Sequence, residues 1–292
     1  MNPVPLDTDW IDGHPLPDHP EGTDKNSRGR VVAVGGSRLV PGALRLTGEA
    51  ALRAGAGKLR MATIAEAAMP LGIAMPEAAV FTLPTGKDGE IEVAAADCLF
   101  PAMKDTDTLL IGPGMSSRAA ARALVTTLLS SPLPELTILL DAAAVACSGQ
   151  CAEMFSAWDG RIVLTPHHGE MAGLTGVSEE EIASDMETAA LQAARRFGAV
   201  IALKGTETVI ASPDGSLLRY RGGGVGLATG GSGDVLAGII AGLLSRGAPP
   251  LEAAAWGVWL HGEAGTILAS RIGPIGFLAR ELLAEIPGLM QR

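Results

Sequence analysis

Thr229-Gly230-Gly231-Ser232-Gly233-Asp234 is the segment of this sequence best equipped for chemistry. Glycine lets the backbone approach a ligand closely and adopt dihedrals closed to other residues. The following run, Val235 to Leu244, is apolar on every side and reads as a buried helix. A helix start offers unpaired N–H groups and the positive end of its dipole. Together these features make an anion hole, with the acid Asp234 facing the anion. Poised over a substrate hydroxyl, Asp234 accepts the proton as oxygen attacks phosphorus. A second reading stays open, in which Ser232 or Asp234 only caps the helix and Asp234 only stabilises its dipole.

Other candidates stand just past apolar runs. His167, in Thr165-Pro166-His167-His168-Gly169-Glu170, can donate a hydrogen bond to an amide or phosphate. The histidine pair also raises a metal site, although no further ligand has suitable spacing, and a structural role is equally open. Lys204-Gly205-Thr206-Glu207-Thr208 can meet a phosphate or nucleobase, or be an ordinary turn. Asp141 can hold Mg²⁺ through water or cap the next helix. Glu77 reads as a turn residue. Trp256 and Trp259 share a helix face and read as core before base-stacking.

Several function classes lose ground. No Gly-x-x-x-x-Gly-Lys-[Ser/Thr] occurs, and no Gly-x-Gly-x-x-Gly follows a strand, which argues against a P-loop enzyme and a dinucleotide-fingerprint dehydrogenase. The net charge of -10, with no long basic run, argues against a nucleic-acid partner. Three cysteines without a Cys-x-x-Cys pair give no zinc or thioredoxin signature. Cys147 and Cys151 read as reduced, partly buried thiols. The proline-broken start is no signal peptide, and Val235–Leu244 is too short to span a bilayer, so a soluble cytoplasmic protein without membrane association is expected.

The elements that must position these residues follow a β-α rhythm. Strands are expected at 30–34, 58–63, 78–83, 108–111, 136–140, 161–165 and 200–203. Helices are expected at 43–54, 94–103, 116–129, 178–196, 235–244, 251–268 and 276–286. Ser212-Pro213-Asp214-Gly215 joins two further strands as a hairpin at one sheet edge. Residues 1–28 read as an irregular lead-in and 29–292 as one catalytic domain. The pattern specifies a three-layer α/β/α fold with a mostly parallel central sheet. Ligands of such sheets bind at the carboxyl ends of the strands, where the candidate residues collect.

The chain resembles the ADP-dependent NAD(P)H-hydrate dehydratase family of the ribokinase-like fold. The matching stretches are Gly29 through Ser37, Pro41-Gly42-Ala43 with Ala50 through Gly57, Met75-Pro76-Glu77 and Ile111-Gly112-Pro113-Gly114-Met115. They continue with Leu140-Asp141-Ala142, Leu164 through Glu170, Leu203-Lys204-Gly205 and Gly230 through Gly238. The resemblance implies repair of NADH or NADPH that has taken up water across a ring double bond. A nucleotide, typically ADP and otherwise ATP, phosphorylates the hydroxyl of the S epimer, and phosphate then leaves. It implies Asp234 as the acid/base, and Ala43, Gly114, His167 and Asp234 around the hydrated cofactor. Lys204, Gly205, Thr206, Glu207, Thr208 and Gly233 would hold the nucleotide. It also implies Mg²⁺ with unassigned ligands, a homo-oligomer (a tetramer), and a separate epimerase. The family often reads Leu-Asp-Ala-Asp-Ala-Leu-Asn after the central strand; here Ala143 and Ala146 replace the second Asp and the Asn. A vitamin or sugar kinase of the same fold, and a nucleotide sensor without turnover, are the rival readings.

Overall fold

The computed structural model describes residues 3–19 and 22–291. In chain order the strands are β1 (Val4–Pro5), β2 (Arg30–Val34), β3 (Lys58–Thr63), β4 (Ala79–Thr82) and β5 (Thr108–Ile111), then β6 (Thr137–Leu140), β7 (Ile162–Leu164), β8 (Val200–Lys204), β9 (Thr208–Ala211) and β10 (Leu217–Tyr220). They form one sheet in the order β1-β10-β9-β8-β7-β6-β5-β2-β3-β4. Pairing is parallel except at β8-β9 and β9-β10.

The central strands are apolar at successive positions because both faces are covered. Along β2, Val31 and Ala33 enter one core while Val32 and Val34 enter the other. On β5 and β6, Leu110 and Leu139 join the first core and Leu109 and Ile138 the second. This is the period-two alternation of a strand applied to two buried faces. The first face is covered by the Ala43–Arg53, Ser232–Ser245 and Pro250–Arg271 helices. Trp256 and Trp259 are buried there with ring centroids 5.9 Å apart, so they are core as expected. The second face carries the Ala95–Met103, Arg118–Leu129 and Met186–Phe197 helices, and the free thiols of Cys147 and Cys151 are buried in its core.

Two glycines set how closely the Ser232–Ser245 helix lies on its neighbour. A Cβ at Gly238 would stand 2.2 Å from the Thr47 carbonyl oxygen, and one at Gly242 2.5 Å from that of Ala51. Only glycine permits that approach, which brings the start of this helix to the rim of the sheet.

Three expectations are corrected. The segment read as an irregular lead-in contains β1, which pairs parallel with β10, and a Thr8–Gly13 helix capped by Asp7, with Ile11 fully buried. The many prolines mask a strand only two residues long. β9 and β10 form the expected antiparallel pair on that side of the sheet, and β1 extends it by one two-residue strand. The single helix at 178–196 is two, Glu179–Ser184 and Met186–Phe197. Asp185, with φ -147°, ends the first and caps the second by accepting from Thr188 N–H. The helix at 276–286 is reduced to Ala279–Leu282, with a separate turn at Ile286–Leu289. An Ala65–Ala74 helix went unread because Pro70 sits inside it.

Candidate active site

Asp141 ends β6 and is 3 % exposed. It stands at the N-cap of the Ala142–Cys147 helix, yet its side chain makes no capping bond. Ala142 adopts φ +50°, a left-handed conformation rare outside glycine, just where the chain turns out of the strand. The carboxylate points along the rim instead, where Oδ1 accepts from Thr165 Oγ1 at 2.7 Å and Lys204 Nζ at 3.1 Å. The capping alternative for Asp141 is thereby resolved against.

Lys204 ends β8, and its backbone N–H donates to the Pro166 carbonyl at 2.7 Å. That bond ties the end of β8 to the turn after β7. Its ammonium also lies 3.8 Å from Glu170 Oε2. Burial works against the charged lysine, but Asp141, Glu170 and Asp234 outweigh it and hold its pKa above the ordinary value.

His167 caps the His168–Thr175 helix through its ring. Nδ1 accepts from Gly169 N–H at 3.0 Å and Glu170 N–H at 3.4 Å, while Glu170 Oε2 accepts from His167 N–H at 2.9 Å. This reciprocal pair is a capping box with histidine in place of serine. Because Nδ1 is an acceptor, Nε2 carries the proton of the neutral ring. The imidazole is 59 % exposed, and Nε2 lies 3.4 Å from Glu170 Oε1, so a ligand that takes this donor competes with that carboxylate.

Gly231, at φ +89°, opens the Ser232–Ser245 helix without a side-chain cap. Ser232 N–H donates to the Thr229 carbonyl. Among the described residues the N–H groups of Gly233 and Asp234 have no protein acceptor, so the helix end presents two free donors. The Asp234 pKa is raised from 3.8 to about 7. Burial is the main cause and the Asp141 charge adds to it, while Lys204 opposes both.

These elements bound a cavity of about 870 Å³. His167, Lys204 through Thr208, Ser232 and Gly233 line it, with apolar walls from Leu227, Leu236 and Val258. The residues after β8 need no crossover helix, because β9 turns straight back along β8. The Glu207 carboxylate faces Arg221 Nε at 2.7 Å and Arg219 Nε at 3.4 Å rather than the free space.

Ala43 and Gly114 lie apart from that cavity. A Cβ at Gly114 would stand 2.9 Å from Ala43 Cβ and 3.1 Å from Gly36 Cα, so these residues meet on the β2-β5 side of the rim. The glycine turn bridges the two groups. A Cβ on Gly231 would strike Leu46 of the Ala43–Arg53 helix, whereas one on Gly233 would face Lys204 Nζ at 3.6 Å. Glu77 is exposed and outside both groups.

Thr165, Glu170 and His261 are site members that the sequence did not single out, and Ser232, weighed there as a helix cap, faces His261 instead. Ser232 Oγ and His261 Nε2 are 2.9 Å apart. Burial lowers the His261 pKa to about 4, and Lys204 adds to the effect, so this imidazole stays neutral. Its sequence signal, a lone histidine in an apolar helix, is indistinguishable from core.

The doubly covered mixed sheet and the glycine-acid helix start at its rim define a ribokinase-like enzyme. A ribokinase-like superfamily protein from Enterococcus faecalis superposes with a TM-score of 0.81 at 28% identity, covering 94% of this chain and 91% of that one. The NAD(P)H-hydrate dehydratase family model matches residues 31–288, and the chain belongs to that family. The ADP-dependent (S)-NAD(P)H-hydrate dehydratase of Xanthomonas campestris is 47% identical over 279 residues, which cover 95% of this chain and 93% of the relative. The Bacillus subtilis ADP/ATP-dependent NAD(P)H-hydrate dehydratase, co-crystallised with ATP/Mg²⁺, superposes with a TM-score of 0.80 at 28% identity, covering 99% and 98% of the two chains.

Proposed function

We propose that this enzyme uses ADP, in preference to ATP, to dehydrate the S epimer of hydrated NADH or NADPH. The observation that carries the reading is the placement of Asp234 at an uncapped helix start, beside Gly233 and with its pKa raised to about 7. The cavity takes the nucleotide, with Lys204 through Thr208 around its AMP portion and Gly233 against its phosphates. The hydrated ring lies on the other side of the glycine turn, against Ala43 and Gly114, while His167, on the cavity wall, meets the part of the hydrated cofactor that extends toward the nucleotide.

Asp234 removes the hydroxyl proton as that oxygen attacks the terminal phosphorus of ADP. The bond from phosphorus to AMP breaks, and the free N–H groups of Gly233 and Asp234 hold the transferred phosphate. The ring nitrogen lone pair then expels phosphate from carbon, and loss of a neighbouring C–H proton restores the double bond. Hydroxide is a poor leaving group and phosphate a good one, which is why a nucleotide is consumed.

The residues do not build a Mg²⁺ site of their own. Among the described residues no three His, Cys, Asp or Glu side chains converge as metal ligands, and Asp141 Oδ1 is engaged by Thr165 and Lys204. The metal expected from the family resemblance would arrive on the nucleotide phosphates, and no step here is assigned to it.

The chemistry leaves the R epimer untouched, so a separate epimerase complements it. We further expect a homotetramer, checked by light scattering, and a cytoplasmic enzyme. No helix among the described residues is long and apolar enough to cross a membrane.

The deciding assay follows recovery of reduced-nicotinamide absorbance from its hydrate, with ADP and ATP compared. Recovery with release of phosphate is expected. A stable phosphorylated product without recovery would instead identify a kinase. Tight ADP binding with no phosphate released from any hydrate would identify a sensor.

A further inference from the structure

On the second face, remote from the site above, a cleft of about 450 Å³ opens beside the Arg118–Leu129 helix. It shares no lining residue with the 870 Å³ cavity. Arg118, Arg122 and Arg196 converge on it from two helices, and no carboxylate lines it. This is unusual for a chain of net charge -10. Seven other arginines stand against a carboxylate, including Arg30 at Asp107 and Arg271 at Glu285. The three around the cleft have no acidic partner among the described residues.

Their donors are largely unspent. A guanidinium has five N–H donors in a fixed fork. Arg122 uses Nη1 on Gln150 Oε1 at 3.1 Å, and Arg196 uses Nη1 on the Thr175 carbonyl at 3.0 Å. The Arg118 guanidinium makes no hydrogen bond among the described residues. Three unneutralised cations around one concavity repel one another, and a bound anion relieves that repulsion. Guanidinium forks match phosphate oxygens two at a time. Ala119, Ala146 and Leu174 supply apolar wall, and the volume lies within the range of small-molecule sites.

Cys147 forms part of the floor. Burial, with Cys151 beside it, raises its pKa to about 12 despite the arginines, so the thiol is no nucleophile. The cleft is thus equipped to bind, not to react.

We propose that the Arg118–Arg122–Arg196 cleft is a second anion site, for a small molecule carrying a polyphosphate group. The test is equilibrium dialysis of inorganic pyrophosphate at fixed ionic strength, using wild type, Arg118→Ala/Arg122→Ala and a control, Arg45→Ala/Arg53→Ala, whose arginines are paired with Glu49. Both cleft positions are exposed on a helix, where alanine preserves the helix. The cleft variant is expected to lose one equivalent of bound pyrophosphate, or at least tenfold in its affinity. Its melting temperature and its ADP affinity should stay those of wild type. Equal stoichiometry and affinity in wild type and cleft variant would overturn the site. An equal loss in the control variant would also overturn it, by showing a general effect of charge.

Discussion

The Lys204 ammonium lies 3.1 Å from Asp141 Oδ1 and 3.8 Å from Glu170 Oε2, joining the ends of β8 and β6 to the first turn of the His168–Thr175 helix. The lysine side chain is 21 % exposed and the aspartate 4 %, so screening by water is weak. Lys204→Met should therefore destabilise the fold by about 3 kcal/mol near pH 8, the scale for stranding one partner of a buried pair. Urea unfolding measures this. The loss should shrink in acid as the stranded carboxylates take up protons. Lys204 also lowers the Asp234 pKa, so the variant should move the midpoint of any pH-rate profile upward.

Asp234 should give that profile its acid limb. Its pKa is about 7, and a general base must be unprotonated, so kcat/KM should rise with pH through a midpoint of about 7 to a plateau in more alkaline solution. Asp234→Asn should lower turnover at least about 100-fold while ADP binding persists. Near-normal turnover in that variant would refute the assignment.

The same shift has a consequence for stability. The folded state holds the Asp234 proton more tightly than the unfolded chain does. Its stabilising contribution is complete below about pH 4 and is lost as pH rises through about 7. Asparagine mimics the protonated acid, so Asp234→Asn should melt above wild type at pH 8. Thermal melts should show that gap closing toward pH 4.

His167 has separable roles. His167→Ala should cost about 1 kcal/mol through the lost helix cap and should raise KM for the hydrated cofactor. His167→Asn can cap but cannot reproduce the Nε2 donor, so it should restore the melting temperature and leave KM high. Recovery of both together would reduce His167 to a cap.

Gly233 and Gly238 lie five residues apart on one helix and should respond oppositely. A Cβ at Gly233 has its nearest neighbour at 3.6 Å, so Gly233→Val should fold normally and weaken ADP binding, as isothermal titration would register. At Gly238 even alanine meets the Thr47 carbonyl oxygen at 2.2 Å, and should destabilise by about 1–3 kcal/mol. Unchanged ADP affinity in Gly233→Val would count against the proposed phosphate position.

Legibility in the sequence tracked the length of each signal. The buried strands were readable because two covered faces demand apolar residues at every position, and β3 and β5 fall where expected. The glycine-rich helix start was equally legible, since its dihedrals restrict the residue type. β1 was not, because two residues carry no periodicity. Asp185 was hidden for another reason: it interrupts a stretch whose composition is helical on both sides. The acidic and cationic members of the site were visible singly, but the Lys204-Asp141 pairing spans 63 positions and belongs to the sheet order, which no local pattern encodes. His261 carries no local signal that separates it from a core histidine, because its partner Ser232 stands 29 positions away.

The reversal of direction between β8 and β9 has one further meaning. Every parallel neighbour in such a sheet must be reached by a long return over one face, and that return occupies the space above the rim. Where β9 doubles back through the few residues between Lys204 and Thr208, nothing has to pass overhead. The room for a guest molecule is thus a by-product of the route the chain takes, present before any residue is chosen to line it. Substitutions along the walls can retune what enters, but closing that room would require a different path through the sheet.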